Sequence, residues 1–136
     1  MRYILLLSLL VLNAANAQEI YQTMPSSSSR DYSAPALIKK GATTYQTLPG
    51  SSTRNWQAPT YVTEGNITYQ TVPGTSSRDW TVPSFVTEGN TTYQTQRASS
   101  ARDYSAPTYV KQGDTIYQTV PGTSTRDHKK PAFKIK

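Results

Sequence analysis

Cysteine is absent from the 136-residue chain, histidine occurs once, and large aliphatic residues are rare. The absence of cysteine excludes disulfide bridges, thiol nucleophiles and cysteine-ligated zinc or iron–sulfur sites. The single histidine excludes metal sites built on paired histidines, and a Ser-His-Asp triad would have to use His128, in a lysine-rich terminal segment. The sequence therefore predicts a protein that is not an enzyme and that uses no cofactor or metal.

Aliphatic residues are too few for an ordinary hydrophobic core. Only 15 of the 119 residues in 18–136 are Leu, Ile, Val or Phe, a fraction typical of disordered chains. If the chain is ordered, aromatic side chains and backbone hydrogen bonds must supply much of the stabilisation.

The first seventeen residues have the features of a secretory signal peptide. Arg2 supplies a positive start, residues 4–12 form a short apolar run, and Ala15-Asn16-Ala17 fits the small-x-small cleavage rule. The run is too short to span a bilayer, and no second apolar run follows it. We therefore predict cleavage after Ala17, no transmembrane segment, and a secreted or cell-surface location (periplasmic if the source is bacterial and the chain is retained).

One 24-residue unit is written five times in the rest of the chain. It begins with Tyr-Gln-Thr, continues through a Ser/Thr-rich segment to Arg-Asp or Arg-Asn, and contains a later proline and a glycine. The period predicts an array of identical small elements. We assign residues 18–125 to the repeats, with the fifth copy truncated, and residues 126–136 to a basic C-terminal tail.

Each copy contains two short stretches with the composition of β-strands. Residues 68–72 and 84–87 are rich in β-branched and aromatic residues and are bounded by proline and glycine. A glycine between the second stretch of one copy and the first stretch of the next predicts a hairpin that crosses the copy boundary. The hairpin glycines, expected at positive φ, are Gly41, Gly65, Gly89 and Gly113.

The fold predicted from these features is all-β, without helix after residue 17. We expect tandem strand-turn-strand units to form an extended β-hairpin array or a β-solenoid-like rod. A largely disordered repeat chain is the alternative, because the aliphatic content is so low.

Aromatic residues recur at three positions of the repeat, and each position defines a column. The first column is Tyr21, Tyr45, Tyr69, Tyr93 and Tyr117. The second column is Tyr32, Trp56, Trp80 and Tyr104, with His128 in the fifth copy. The third column is Leu37, Tyr61, Phe85, Tyr109 and Phe133. The columns are interpreted mainly as packing residues, and alternatively as stacking platforms for sugar rings or bases. The glutamine that follows each first-column tyrosine is a candidate for a stacked amide ladder, although a proline in every copy disfavours an unbroken cross-β core.

Basic residues form two candidate contact surfaces for an anionic polymer. The first is a column of one arginine per copy, comprising Arg30, Arg54, Arg78, Arg102 and Arg126. The second is the tail, through Lys129, Lys130, Lys134 and Lys136. The alternative for the arginine column is a solvated turn in which the neighbouring Asp or Asn caps backbone amides. The alternative for the tail is a frayed terminus.

Three functional hypotheses follow from the sequence. The first is a secreted structural or adhesive protein that assembles through strand edges and aromatic residues of its repeats. The second is a multivalent glycan- or polyanion-binding module. The third is a disordered matrix protein matured by oxidative crosslinking. The expected partners are other copies of the chain and an acidic polysaccharide or similar polymer, and no specific nucleic-acid motif is present. Asn66 and Asn90 lie in glycosylation sequons.

Overall fold

The computed structural model describes residues 18–136, which form ten short strands and no helix. The predicted signal peptide lies outside the described residues. The strands are β1 (Gln18–Gln22), β2 (Leu37–Lys40), β3 (Thr43–Gln46), β4 (Tyr61–Glu64), β5 (Ile67–Gln70), β6 (Phe85–Glu88), β7 (Thr91–Gln94), β8 (Tyr109–Gln112), β9 (Thr115–Gln118) and β10 (Phe133–Ile135). The all-β class is therefore confirmed, and the disordered alternative does not fit this part of the chain.

Neighbouring copies are joined by a two-strand hairpin with a short turn. In the hairpin of β4 and β5, Tyr61 pairs with Gln70 and Glu64 pairs with Ile67. Gly65 occupies the turn at φ +62°, a left-handed conformation that side chains with a Cβ rarely adopt. The other three predicted turn glycines, Gly41, Gly89 and Gly113, have φ values of +60°, +62° and +61°. The prediction of a hairpin across the copy boundary is confirmed.

The ten strands close into an antiparallel barrel, so the expected extended rod is wrong. Each strand pairs with its sequence neighbours, and β1 also pairs with β10, where Ile20 lies opposite Ile135. Because the copies share one sequence pattern, each copy is rotated about the barrel axis by the same angle relative to the preceding copy. Five copies close because that rotation is about one-fifth of a turn, a quantity set by strand tilt and stagger rather than by the spacing of residues.

Residues 126–136, predicted as a basic tail, contain the last strand of the barrel. Phe133 is 1% exposed and belongs to the core, and β10 pairs with both β1 and β9. The alternation of Phe133 and Ile135 with lysines thus serves a strand that docks within its own chain. Lys129, Lys130 and Lys136 are exposed, and Lys134 is half-buried.

The third aromatic column forms the central layer of the barrel interior. Its members are buried together with Ile20 and Ile116 and make one core cluster. Threonines fill the adjacent interior positions, as Thr44, Thr68 and Thr92 show by their near-complete burial. Aromatic rings and threonine methyl groups thus replace the missing aliphatic core, as the composition required.

Long connections between the two strands of one copy all lie at one end of the barrel, which we call the link end, and the hairpin turns lie at the other. Each link begins with the threonine of Tyr-Gln-Thr, which is buried. The Thr47 hydroxyl accepts a hydrogen bond from the Ala36 backbone amide at 3.0 Å and donates to the Ala36 carbonyl oxygen at 3.4 Å. Equivalent bonds join Thr71 to Thr60 and Thr95 to Ser84. The repeated threonine therefore fixes the start of each link against the neighbouring copy.

Candidate functional site

Each arginine of the column lies against aromatic rings of its own copy. The guanidinium carbon of Arg54 is 5.2 Å from the centre of the Tyr45 ring and 3.8 Å from that of Trp56. Arg30, Arg78 and Arg102 are layered between two rings in the same way. A guanidinium between two aromatic faces is held by cation–π attraction and planar stacking. The Nε atoms of Arg54 and Arg102 are buried without a hydrogen-bond partner.

The acid that follows the arginine caps its own turn. Asp79 Oδ1 accepts hydrogen bonds from the Thr81 backbone amide and hydroxyl, and these bonds hold the pKa of the Asp79 carboxyl below its usual value. Asp31 and Asp103 make the same bonds to Ser33 and Ser105, with the same effect on their pKa. The predicted capping role is confirmed, and the acids do not form ion pairs with the neighbouring arginines in the described residues.

The second aromatic column is the most exposed apolar feature among residues 18–136. Tyr32, Trp56, Trp80 and Tyr104 are between 61% and 71% exposed. The first column lies half-buried on the outer wall beneath the arginines. Packing therefore accounts for the third column fully and for the first in part, whereas the second column presents one face of each ring to solvent.

Grooves between neighbouring copies lie beside these exposed rings. One groove, with a volume of about 310 Å³, is bounded by Arg54 and Trp56 of the second copy and by residues 74–76 of the third. Thr43, Thr60, Val62 and Thr71 complete its lining. The same groove, also about 310 Å³, recurs between the fourth and fifth copies, with Arg102 and Tyr104 on one side and residues 122–124 on the other.

A third groove closes the ring between the fifth and first copies. It has a volume of about 370 Å³ and is bounded by Arg126, His128 and Lys134 on one side. The opposite side consists of Ser26, Ser27 and Ser28 of the first copy. The 24-residue period relates every part of this groove to the other two.

Sequence reasoning identified the arginines and aromatic rings but missed the hydroxyl groups that complete the grooves. Thr60 and Thr75, for example, belong to different copies and meet only because the barrel places adjacent links side by side. Adding one period to positions 50–52 of the second copy's link gives the facing loop 74–76, but only if the copies are known to lie side by side.

The other predicted residues lie elsewhere. The turn glycines and the exposed sequon residues Asn66 and Asn90 are at the hairpin-turn end. Three of the repeated glutamines, Gln46, Gln70 and Gln118, are buried in the barrel, where their strands follow one another around the wall instead of stacking as a ladder.

Across residues 18–136, no group of three or more histidine, aspartate or glutamate residues is placed to hold a metal ion. In this part of the chain there is also no helix of the length and hydrophobicity that a bilayer span requires. No protein-family model matches the chain, and no significant match was found among curated proteins or solved structures.

Proposed function

We propose that this protein is a multivalent glycan-binding module in which the grooves between adjacent copies each hold one sugar unit. The observation that carries the proposal is the exposed Trp56 ring, 68% accessible, beside a groove lined by threonine hydroxyls. An aromatic ring left this open, with its inner face fixed by Arg54, provides a rigid apolar platform.

The chemistry of the groove suits a sugar ring. A pyranose has an apolar face of C–H groups that packs on the negative face of an aromatic ring, while its hydroxyls need donors and acceptors around the rim. Trp56 supplies the ring, and Thr43, Thr60 and Thr75 line the groove with hydroxyl groups. The Thr75 hydroxyl donates to the Val72 carbonyl oxygen and so offers the ligand an acceptor. The volume of about 310 Å³ lies at the lower end of small-molecule pockets, which span roughly 300–1,000 Å³.

The arrangement of the sites supports multivalency. All links lie at one end of the barrel, so the grooves are arranged in a ring around that end. One polymeric ligand can therefore contact more than one groove. Open grooves of this size bind single sugar units weakly, but simultaneous contacts with a polymer or a glycan-coated surface raise the overall affinity by roughly 10²–10⁴-fold. Adhesion to a surface or an extracellular matrix is the role we expect, with the chain exported by its predicted leader.

Assembly through open strand edges receives less support than binding. Each of the ten described strands has a partner on both sides, so no strand edge is left for another chain. A purely electrostatic polyanion site is also less well supported, because four of the five arginines lie half-buried against rings and acids lie in the same links.

Tryptophan fluorescence provides a direct test, because the only two tryptophans are Trp56 and Trp80, at equivalent positions in adjacent copies. We expect titration with an oligosaccharide that fits the grooves to shift the wavelength of their emission maximum and to change the emission intensity. Trp56→Ala combined with Trp80→Ala should lower the affinity for a multivalent glycan at least tenfold, measured by calorimetry.

Leu48→Ala is the matched control, since Leu48 is an exposed apolar residue of the same link end but does not line the grooves described above. It should bind as the unsubstituted chain does. Unchanged fluorescence across a broad panel of oligosaccharides at millimolar concentration would refute the proposal, as would wild-type affinity in the double tryptophan variant.

A further inference from the structure

The groove between the fifth and first copies has basic residues at two positions where the other two grooves have uncharged residues. His128 stands where the other grooves have Trp56 and Tyr104. Lys134 stands where they have Val62 and Val110. Together with Arg126, these substitutions give the closing groove three basic side chains and no acidic lining residue.

Arg126 is also more accessible than the other arginines of the column. Its guanidinium carbon lies 5.1 Å from the Tyr117 ring, but its copy has no second aromatic ring of the Trp or Tyr type to cover the other face. Arg126 is accordingly exposed, whereas the four equivalent arginines are half-buried. The N–H groups of a guanidinium lie in its plane, and an exposed edge can form paired hydrogen bonds to a planar carboxylate.

In the first copy a carboxylate contacts an arginine of the column, although rings lie against both faces of that guanidinium. Glu19 occupies the position that Thr43 and Thr115 take in the other grooves, and its Oε1 atom lies 2.7 Å from Nη2 of Arg30. A carboxylate can therefore reach the arginine of this column from the groove side. In the closing groove that position is Thr115, so no carboxylate of the chain occupies it.

A serine hydroxyl further shapes the closing groove. Ser26 adopts φ +57°, in the left-handed region, where the second, third and fifth copies have Gly50, Gly74 and Gly122. Its hydroxyl donates to the backbone carbonyl oxygen of His128 at 2.7 Å. This bond ties the link of the fifth copy to the loop of the first and holds His128 at the groove.

We infer that the closing groove binds the carboxylate of an acidic sugar unit, such as a uronic acid, while the other grooves bind uncharged sugar units. Arg126 and Lys134 pair with the carboxylate, and His128 offers an imidazole N–H donor in either of its protonation states. This inference rests on the proposed function, since it assigns a ligand class to one of the same set of grooves.

Asp114 is the internal competitor for this carboxylate. Its Oδ1 lies 3.5 Å from Lys134 Nζ, a long contact, and its side chain is 71% exposed. Lys134 Nζ also donates to the Thr115 hydroxyl at 2.6 Å, which directs the ammonium towards the groove lining. Asp114→Asn should therefore increase the affinity for an acidic sugar by removing the competing charge.

The test compares an oligosaccharide of glucuronic acid with its carboxyl-reduced counterpart, using calorimetry on the chain 18–136 at low ionic strength. The unsubstituted chain should bind the acidic oligosaccharide about tenfold more tightly than the reduced one. Lys134→Val, alone or combined with His128→Trp, introduces the residue types that Val62 and Trp56 provide at the same positions of another groove. Either variant should abolish the preference for the acidic oligosaccharide. Both variants should keep the thermal stability of the parent, because Val62 and Val110 already occupy this position opposite a tyrosine.

Lys136→Val is the matched control, since it removes one positive charge from the exposed residue next to the same strand without altering the groove. It should keep the preference for the acidic oligosaccharide. The inference is overturned if Lys136→Val reduces the preference as much as Lys134→Val does, because net charge would then be the cause. Equal binding of both oligosaccharides by the parent overturns the inference alone, whereas binding of neither overturns the proposed function with it.

Discussion

At the residue scale, arginine in this protein acts first as a packing group and second as a charge. The sequence presents an arginine column and two aromatic columns as separate features, and the structure combines them into layers in which the guanidinium of Arg78, for instance, lies 5.0 Å from Tyr69 and 3.9 Å from Trp80. The layer keeps the inner face of the outer ring dry and its outer face exposed. The four arginines that lie between two rings are therefore supports for the candidate binding rings more than contacts in their own right.

A buried polar atom gives a stability prediction at the same scale. Gln46 Nε2 donates to the Tyr61 hydroxyl at 2.9 Å, whereas Gln70 Oε1 is buried without a partner. The residue equivalent to Tyr61 beside Gln70 is Phe85, which has no hydroxyl. Phe85→Tyr should therefore raise the free energy of unfolding by about 1 kcal/mol, measured by urea denaturation.

Tyr61→Phe is the reciprocal change and should lower the free energy of unfolding by about 1 kcal/mol, because Gln46 then loses its acceptor. Burial raises the pKa of the Tyr61 hydroxyl, so the hydroxyl stays protonated at the neutral pH of such measurements. If Phe85→Tyr proves destabilising, the interior beside Gln70 is too tightly packed to accept a hydroxyl.

At the element scale, the hairpin was the best-predicted part of the molecule. β-branched and aromatic composition and one glycine per copy were sufficient to place the strands to within about two residues and to place the turn, because those features depend on residues close in sequence. The register was not predicted, since a three-residue loop was expected and the pairing of Glu64 with Ile67 leaves a two-residue turn. The links were not predictable in the same way. Their course depends on hydrogen bonds such as that between Thr71 and Thr60 and on contacts with the neighbouring copy.

The turn glycine gives the prediction for this scale. A Cβ added at Gly89 would meet no atom within 4 Å, so the cost of substitution comes from the backbone conformation alone, at φ +62°. Gly89→Val should lower the free energy of unfolding by about 1–3 kcal/mol, measured by thermal or urea denaturation. Gly89→Asn is the control and should cost clearly less, because asparagine tolerates the left-handed region. Equal stability of the two variants would mean that the turn changes its conformation.

At the scale of the whole molecule, closure was beyond the reach of the sequence. A constant repeat is compatible with a rod, a solenoid or a ring, and the distinction depends on the angle between neighbouring copies. The same limit applies to the candidate site, since each groove is formed by two copies that the sequence separates by a full period. The arginines and aromatic rings on one side of the described grooves, in contrast, could be predicted from the sequence.

Closure makes the last strand essential, which gives a further prediction. Deleting residues 133–136 removes β10, leaves β1 and β9 each with an unpaired edge, and takes Phe133 out of the core. We expect the truncated chain to lose its cooperative thermal transition in circular dichroism and to associate in size-exclusion chromatography. Phe133→Leu, which installs the residue found at this position in the first copy, should remain folded and monodisperse. Parent-like melting of the truncated chain would show that the barrel is stable while open.

The pairing of β1 with β10 also fixes how many copies this barrel can contain. In an open solenoid, gain or loss of a unit by unequal recombination changes only the length of the product. Here a sixth unit would add two strands to the barrel and widen its interior, so that the central layer of aromatic rings could no longer fill it. Variants with four or six units should therefore fold poorly and be removed by selection against misfolded protein. The count of five in the barrel is thus set by the contact between its first and last strands.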